Sequence, residues 1–114
     1  MADTWVSSGD TSLSPSVAQA GNLVVNFDNY HVFVENEPIS LSFQEFELLR
    51  ALLSNIDRVI SVDMLTRALW HASGHVYVRR LNVVVHRLRA KLATSRPYQI
   101  ESVRGRGYGL ITQA

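Results

Sequence analysis

The chain has no cysteine, so it carries no disulfide framework, no thiolate nucleophile and no cysteine-based zinc site. Such a chain suits a reducing compartment, and the cytoplasm is the expected location. No apolar run approaches the ~20 residues that a membrane-spanning helix needs, and the N-terminus lacks a basic start followed by an apolar stretch. Export, membrane insertion and a membrane partner are therefore not expected. Lysine is nearly missing as well, Lys91 being the only one. Acidic residues are scarce at one end: residues 78–114 hold eight Lys or Arg against Glu101 alone, while residues 1–77 hold three against nine. The two halves carry +7 and −6, so a net charge of +1 conceals a one-sided field of the kind a polyanion such as nucleic acid would meet.

What is present fits one soluble domain with a modest core: 114 residues, 46% hydrophobic and 18% charged. Residues 1–20 are rich in Ser and Thr, contain Pro15 and show no sustained period, so they are expected to form a tail or linker ahead of a domain at 21–114. Trp5 is the one residue there that could dock on the domain. From Leu23 the texture becomes β-prone. The runs Leu23–Phe27, Tyr30–Val34 and Pro38–Leu41, parted by Asp28-Asn29 and Asn36-Glu37, predict an antiparallel meander.

Ser42-Phe43-Gln44-Glu45 has capping-box spacing, with Leu41 and Phe46 placed as a hydrophobic staple, and predicts the start of a helix. Phe46, Leu49, Leu52 and Leu53 give that helix its buried face, and Asn55 gives it a stop. Ser61 then caps a second helix running to Trp70, with Asp63 in its first turn and Leu65, Ala68 and Leu69 on one face. His71 to Val78 is expected to be a loop. The third helix, Arg79 to Leu92, needs its periodicity, because Val83-Val84-Val85 alone would favour a strand. Leu81, Val84, Val85, Leu88 and Leu92 share one stripe and leave Arg79, Val83, His86, Arg87 and Ala90 opposite. After Pro97, the runs Tyr98–Val103 and Tyr108–Thr112 read as strands joined by Arg104-Gly105-Arg106-Gly107.

Three helices with a basic third, followed by an arginine-tipped hairpin, form the plan of a winged helix-turn-helix of the α+β class. A helix fits the major groove of DNA, where Arg can pair with guanine and small apolar groups such as Val83 and Ala90 can meet thymine methyls. A hairpin beside it can place Arg in the minor groove, whose potential is most negative over A·T-rich sequence.

Leu41-Ser42-Phe43-Gln44-Glu45-Phe46-Glu47-Leu48-Leu49, Ser61 to Trp70, Asn82 to Leu92, and Ser102-Val103-Arg104-Gly105-Arg106-Gly107-Tyr108 occur in this order. Together they resemble the effector domain of OmpR/PhoB-type response regulators over roughly residues 23–112. The resemblance implies an N-terminal sheet, three helices and a C-terminal wing, with double-stranded promoter DNA as the partner of a transcriptional regulator in a two-component system. It implies base contact by Arg87, minor-groove contact by Arg104 and phosphate contact by Arg79, Arg89 and Ser102, with Arg106 at the variable wing tip and His86 at a position often basic. On the displayed basic face Val83, His86 and Arg106 are expected at base or groove edges as well, and Arg80 and Lys91 at phosphates. The segment holding His71, Ser73, His75 and Tyr77 matches the part that can touch RNA polymerase. Asn82 stands where Asp is common, and Val84 where His is common and reaches phosphate. The resemblance further implies a monomer that pairs in tandem on DNA, with a receiver domain and the signal input lying outside these 114 residues. The alternative reading is a winged helix that binds RNA or an acidic protein.

Other signals lead nowhere. Gly105-Arg106-Gly107-Tyr108-Gly109 resembles a dinucleotide loop but opens no helix that could cap a pyrophosphate. His71 and His75 have one-turn spacing without a carboxylate or Cys to complete a metal site. The pairs Glu35/Glu37 and Glu45/Glu47 lack a neighbouring base or nucleophile. No cofactor, metal or catalytic residue is expected.

Overall fold

Alternating β-branched residues and turn residues build the first third of the chain into a meander, seen in a computed structural model that describes residues 16–113. Strands β1 (Val17–Ala20), β2 (Leu23–Asn26), β3 (His31–Val34) and β4 (Glu37–Ile39) pair antiparallel in the order β1-β2-β3-β4. The alternation of the strand pleat turns Leu23, Val25, Val32 and Val34 inward, and all four are buried. Val17–Ala20 was expected in the tail. These residues form the edge strand instead, because Ala18 and Ala20 continue the inward row opposite Val25 and Leu23. Residues 1–15, with Trp5, lie outside the described residues.

Helix α1 (Phe43–Leu53) begins as the capping box predicts: Ser42 Oγ accepts from the Glu45 amide at 3.1 Å, and Glu45 Oε1 accepts from the Ser42 amide at 2.9 Å. Phe46, Leu48, Leu49 and Leu52 are buried in the shared core, each worth about 1.5–3 kcal/mol relative to exposure. Helix α2 (Val62–Trp70) is capped by Ser61, whose Oγ accepts from the Met64 amide at 3.1 Å, and ends at His71 in the left-handed region. Leu65 is buried there as expected, but Ala68 is exposed and Thr66 takes the inward place, its hydroxyl donating to the Asp63 carbonyl.

Helix α3 (His75–Lys91) starts four residues before the expected Arg79. The loop is only residues 71–74, and His75, Tyr77 and Val78 are helical, the amides of Tyr77 and Val78 donating to the Gly74 carbonyl. Packing overrides the strand preference of Val76-Tyr77-Val78: Tyr77 sits with its ring centroid 5.9 Å from that of Trp70, and the Arg80 guanidinium covers its ring at 5.3 Å. Leu81, Val84, Val85 and Leu88 face the core, as does Leu92 at the cap.

Strands β6 (Tyr98–Val103) and β7 (Gly107–Thr112) form the hairpin, and β5 (Ile60–Ser61) pairs with β7 to give the order β5-β7-β6. Ile60–Ser61 is too short a strand to be legible from local pattern and is defined by its pairing with Gly107 and Tyr108. Gly107 permits this third strand, because a Cβ there would fall 1.9 Å from the Ile60 carbonyl oxygen. The two sheets are also tied across the fold. The Asn22 amide donates to the Arg96 carbonyl, the Asn22 side chain accepts from the Arg96 amide and donates to the Thr94 carbonyl. Gly21, at φ 63°, lies where a Cβ would strike the Arg96 carbonyl oxygen.

Candidate nucleic-acid interface

The 100° step of a helix divides the exposed part of α3 into three strips. Arg79, Val83, His86 and Ala90 make the centre, and all four are exposed, Val83 by 48%. Arg80, Arg87 and Lys91 make the flank toward the N-terminus of α1. Asn82 and Arg89 make the flank toward the hairpin, where the Tyr108 hydroxyl donates to Asn82 Oδ1 at 2.7 Å and Arg89 Nε donates to the Ile100 carbonyl at 3.3 Å.

At the wing tip, residues 104–106 turn tightly, with the Arg106 amide donating to the Val103 carbonyl at 2.9 Å. Arg104 and Arg106 are exposed, as is Ser102. Ser102 stands directly opposite Tyr108 in the ladder, so both side chains leave the same face of the hairpin. Between wing and helices runs a groove of about 500 Å³, walled by Val62, Val78 and Val103 with Ser61, Ser102 and Tyr108 among its polar members.

Most of the expected residues are therefore brought to one cationic surface, and two of them, Lys91 and Arg89, also make contacts within the domain. Lys91 Nζ lies 2.6 Å from Glu45 Oε1 and donates to the Ser40 carbonyl at 2.9 Å, so two of its three donors are engaged within the domain. Burial at 3% exposure would by itself raise the Glu45 carboxyl. The hydrogen bonds from Lys91 and the Ser42 amide, with the charges of Lys91 and Arg87, outweigh it and hold the carboxyl below its ordinary value. Arg89 is half-buried against β6. Val84 is 5% exposed and faces the core, so this position does not look toward a phosphate at all.

In the α2–α3 turn, His71, Ser73 and His75 are exposed, and Arg67 Nη2 donates to Ser73 Oγ at 3.4 Å. Tyr77 is half-buried beneath Arg80. No group of three or more His, Cys, Asp or Glu that could hold a metal occurs among the described residues, and no helix among them is long and apolar enough to cross a membrane. Asn82 and Tyr108, 26 positions apart, carry no local sign in the sequence that they pair. Their only signal was that both lie in motifs flanking the same predicted surface.

An antiparallel sheet, three helices and a strand-paired arginine hairpin beside the third helix define a winged helix-turn-helix. The chain belongs to the family described as "Transcriptional regulatory protein, C terminal", whose model matches residues 36–110, in agreement with the OmpR/PhoB resemblance. It is 34% identical over 103 residues to the sensory transduction protein RegX3 of Mycolicibacterium smegmatis, an alignment covering 89% of this chain and 45% of RegX3. The chain thus spans about half the length of the curated relatives it matches. The Klebsiella pneumoniae RstA DNA-binding domain, solved in complex with the RstA box, superposes with a TM-score of 0.74 at 30% identity, covering 83% of this chain and 96% of that one. DrrB, a Thermotoga maritima OmpR/PhoB homologue, superposes with a TM-score of 0.72 at 26% identity, covering 84% of this chain and 44% of that one.

Proposed function

We propose that this domain binds double-stranded promoter DNA sequence-specifically and serves a transcriptional regulator by binding rather than by catalysis. Helix α3 lies in the major groove, with Arg87, Val83 and His86 at base edges, and the wing presents Arg104 and Arg106 to the adjacent minor groove. Arg79, Arg80 and Ser102 hold phosphates. The observation that carries this reading is the exposed central strip of α3, basic but interrupted by Val83 and Ala90, beside an exposed arginine tip. A solvated surface needs charge, whereas base readout needs charge and small apolar groups together. The exposed turn at His71 and Ser73, with His75 at the start of α3, is the surface offered to RNA polymerase.

The test is selection of duplexes from a random pool, followed by titration of a selected duplex at rising salt. The logarithm of the binding constant should fall linearly with the logarithm of salt concentration, with a slope of about −0.9 per phosphate contacted. A flat response, or equal binding of RNA and duplex DNA, would overturn the reading.

A further inference from the structure

A winged helix that occupies neighbouring grooves must straddle the sugar-phosphate strand that separates them. With α3 in the major groove and the wing in the minor groove, that strand crosses the valley between the two elements. Two residues join the walls of this valley: Asn82 on the wing-side flank of α3, and Tyr108 on β7, whose hydroxyl donates to Asn82 Oδ1 at 2.7 Å. The bond uses the amide's oxygen and leaves its nitrogen for another partner. With Oδ1 turned to the wing, the amide nitrogen is turned away from it, and both its N–H donors lack a partner among the described residues. Asn82 is exposed on the wing-side flank of α3, so these donors are accessible to a backbone crossing there. Ser102, opposite Tyr108 in the ladder and on the same face, adds a hydroxyl to the same valley.

We propose that Asn82 is a DNA-contacting residue, its side-chain amide donating to a phosphate of the strand between helix and wing, and that Tyr108 is a positioning residue acting through Asn82. The chemistry favours an anion over a base edge. The valley lies outside the central strip of α3, and the amide, unlike the Asp common at this position of the resembled family, offers N–H donors that an anion can accept. This inference rests on the DNA-binding reading above.

The experiment uses the full chain and a duplex recovered by selection, in a series where each phosphate in turn is replaced by a neutral methylphosphonate. Wild type should lose affinity at several positions. Asn82→Ala should bind about tenfold more weakly than wild type, as the loss of a hydrogen bond to a charged group would give. It should also become indifferent to methylphosphonate at one position to which wild type is sensitive. Asn82→Asp keeps an acceptor for the Tyr108 hydroxyl but has no donor, and should bind more weakly still. Tyr108→Phe should weaken wild type about threefold, as expected for a neutral hydrogen bond, and leave Asn82→Ala unchanged. Equal thermal unfolding of these surface variants separates binding from folding. If Asn82→Ala binds like wild type, or keeps the whole wild-type pattern of phosphate sensitivity, the assignment is overturned while DNA binding stands. If wild type selects no duplex, the DNA-binding reading fails and this one with it.

Discussion

Lys91, in the last turn of α3, and Glu45, in the first turn of α1, form a 2.6 Å ion pair that anchors the end of one helix to the start of another. The same carboxylate oxygen accepts from the Ser42 amide, so one atom serves both the cap and the tertiary contact. Arg87, one turn before Lys91 on the same flank, lies in the field of this carboxylate. Glu45 thus connects the folding of α1 to the setting of a proposed base-reading arginine.

Replacing Lys91 should therefore harm folding more than DNA affinity. Lys91→Met would strand a buried carboxylate, and because Lys91 is itself 39% exposed and partly screened, the expected cost is about 1–3 kcal/mol rather than that of a fully buried pair. Denaturant unfolding measures it. An unchanged midpoint together with a large loss of DNA affinity would place Lys91 among the phosphate contacts instead.

Acid should act through the same residue. The Glu45 carboxyl titrates below its ordinary value of 4.5 in the folded protein, so between the two values the unfolded chain binds more protons and stability rises with pH. The contribution is present above 4.5 and is lost as the pH falls through the lower folded value. Asp57 behaves likewise: hydrogen bonds from the Thr112 hydroxyl and amide hold its carboxyl below 3.8. Unfolding free energy followed from about pH 6 to about pH 2.5 should decline, and Glu45→Gln should flatten the upper part of that decline while Asp57→Asn flattens the lower part.

Two wing glycines with positive φ should respond very differently to alanine. Gly105, at φ 76°, has open space around its missing Cβ, so Gly105→Ala should cost only the backbone strain, about 1 kcal/mol. Gly107→Ala would drive a methyl into the Ile60 backbone and part β5 from β7, costing more than about 3 kcal/mol through strain and lost pairing together. Thermal unfolding of the two variants decides this; equal losses would mean that β5 does not brace the wing.

Readout and positioning should separate by residue. Arg87→Ala should cost about 1–3 kcal/mol and relax preference at one base pair, whereas Arg79→Ala should weaken all duplexes alike. Arg104→Ala should weaken chiefly the sites with narrow, A·T-rich minor grooves. Binding profiles over a base-substituted series test all three, and a profile of unchanged shape for Arg87→Ala would show that α3 is docked differently.

Local signals were legible wherever a residue's partner lies within a few positions. The Ser42/Glu45 box, the Ser61 cap and the buried stripe of α3 need only neighbours in sequence, and all appear as expected. Distant partners decided the rest. Val17–Ala20 is a strand because β2 pairs with it, and α3 begins at His75 because Tyr77 finds Trp70. Lys91 is tied into the fold because Glu45, 46 positions earlier, meets it. A charge count marks which end of the chain is cationic, but it cannot distinguish an arginine facing solvent from a lysine already neutralised by a buried acid.

Strand β7 follows every other element of its sheet in sequence, yet it is the middle strand, flanked by β5 and β6. During synthesis, Ile60 and Tyr98 to Val103 emerge from the ribosome with no ladder to join, and Leu110, which completes the packing between helices and hairpin, emerges later. This sheet therefore cannot be completed from its N-terminal end, and it needs pairing across nearly 50 residues of intervening chain, from Ile60 to Tyr108, a long-range contact of the kind that slows folding. A chain cut before Gly107 would keep the meander and three helices but lose Leu110 and the strand that joins β5 to β6, leaving part of the shared core open to water.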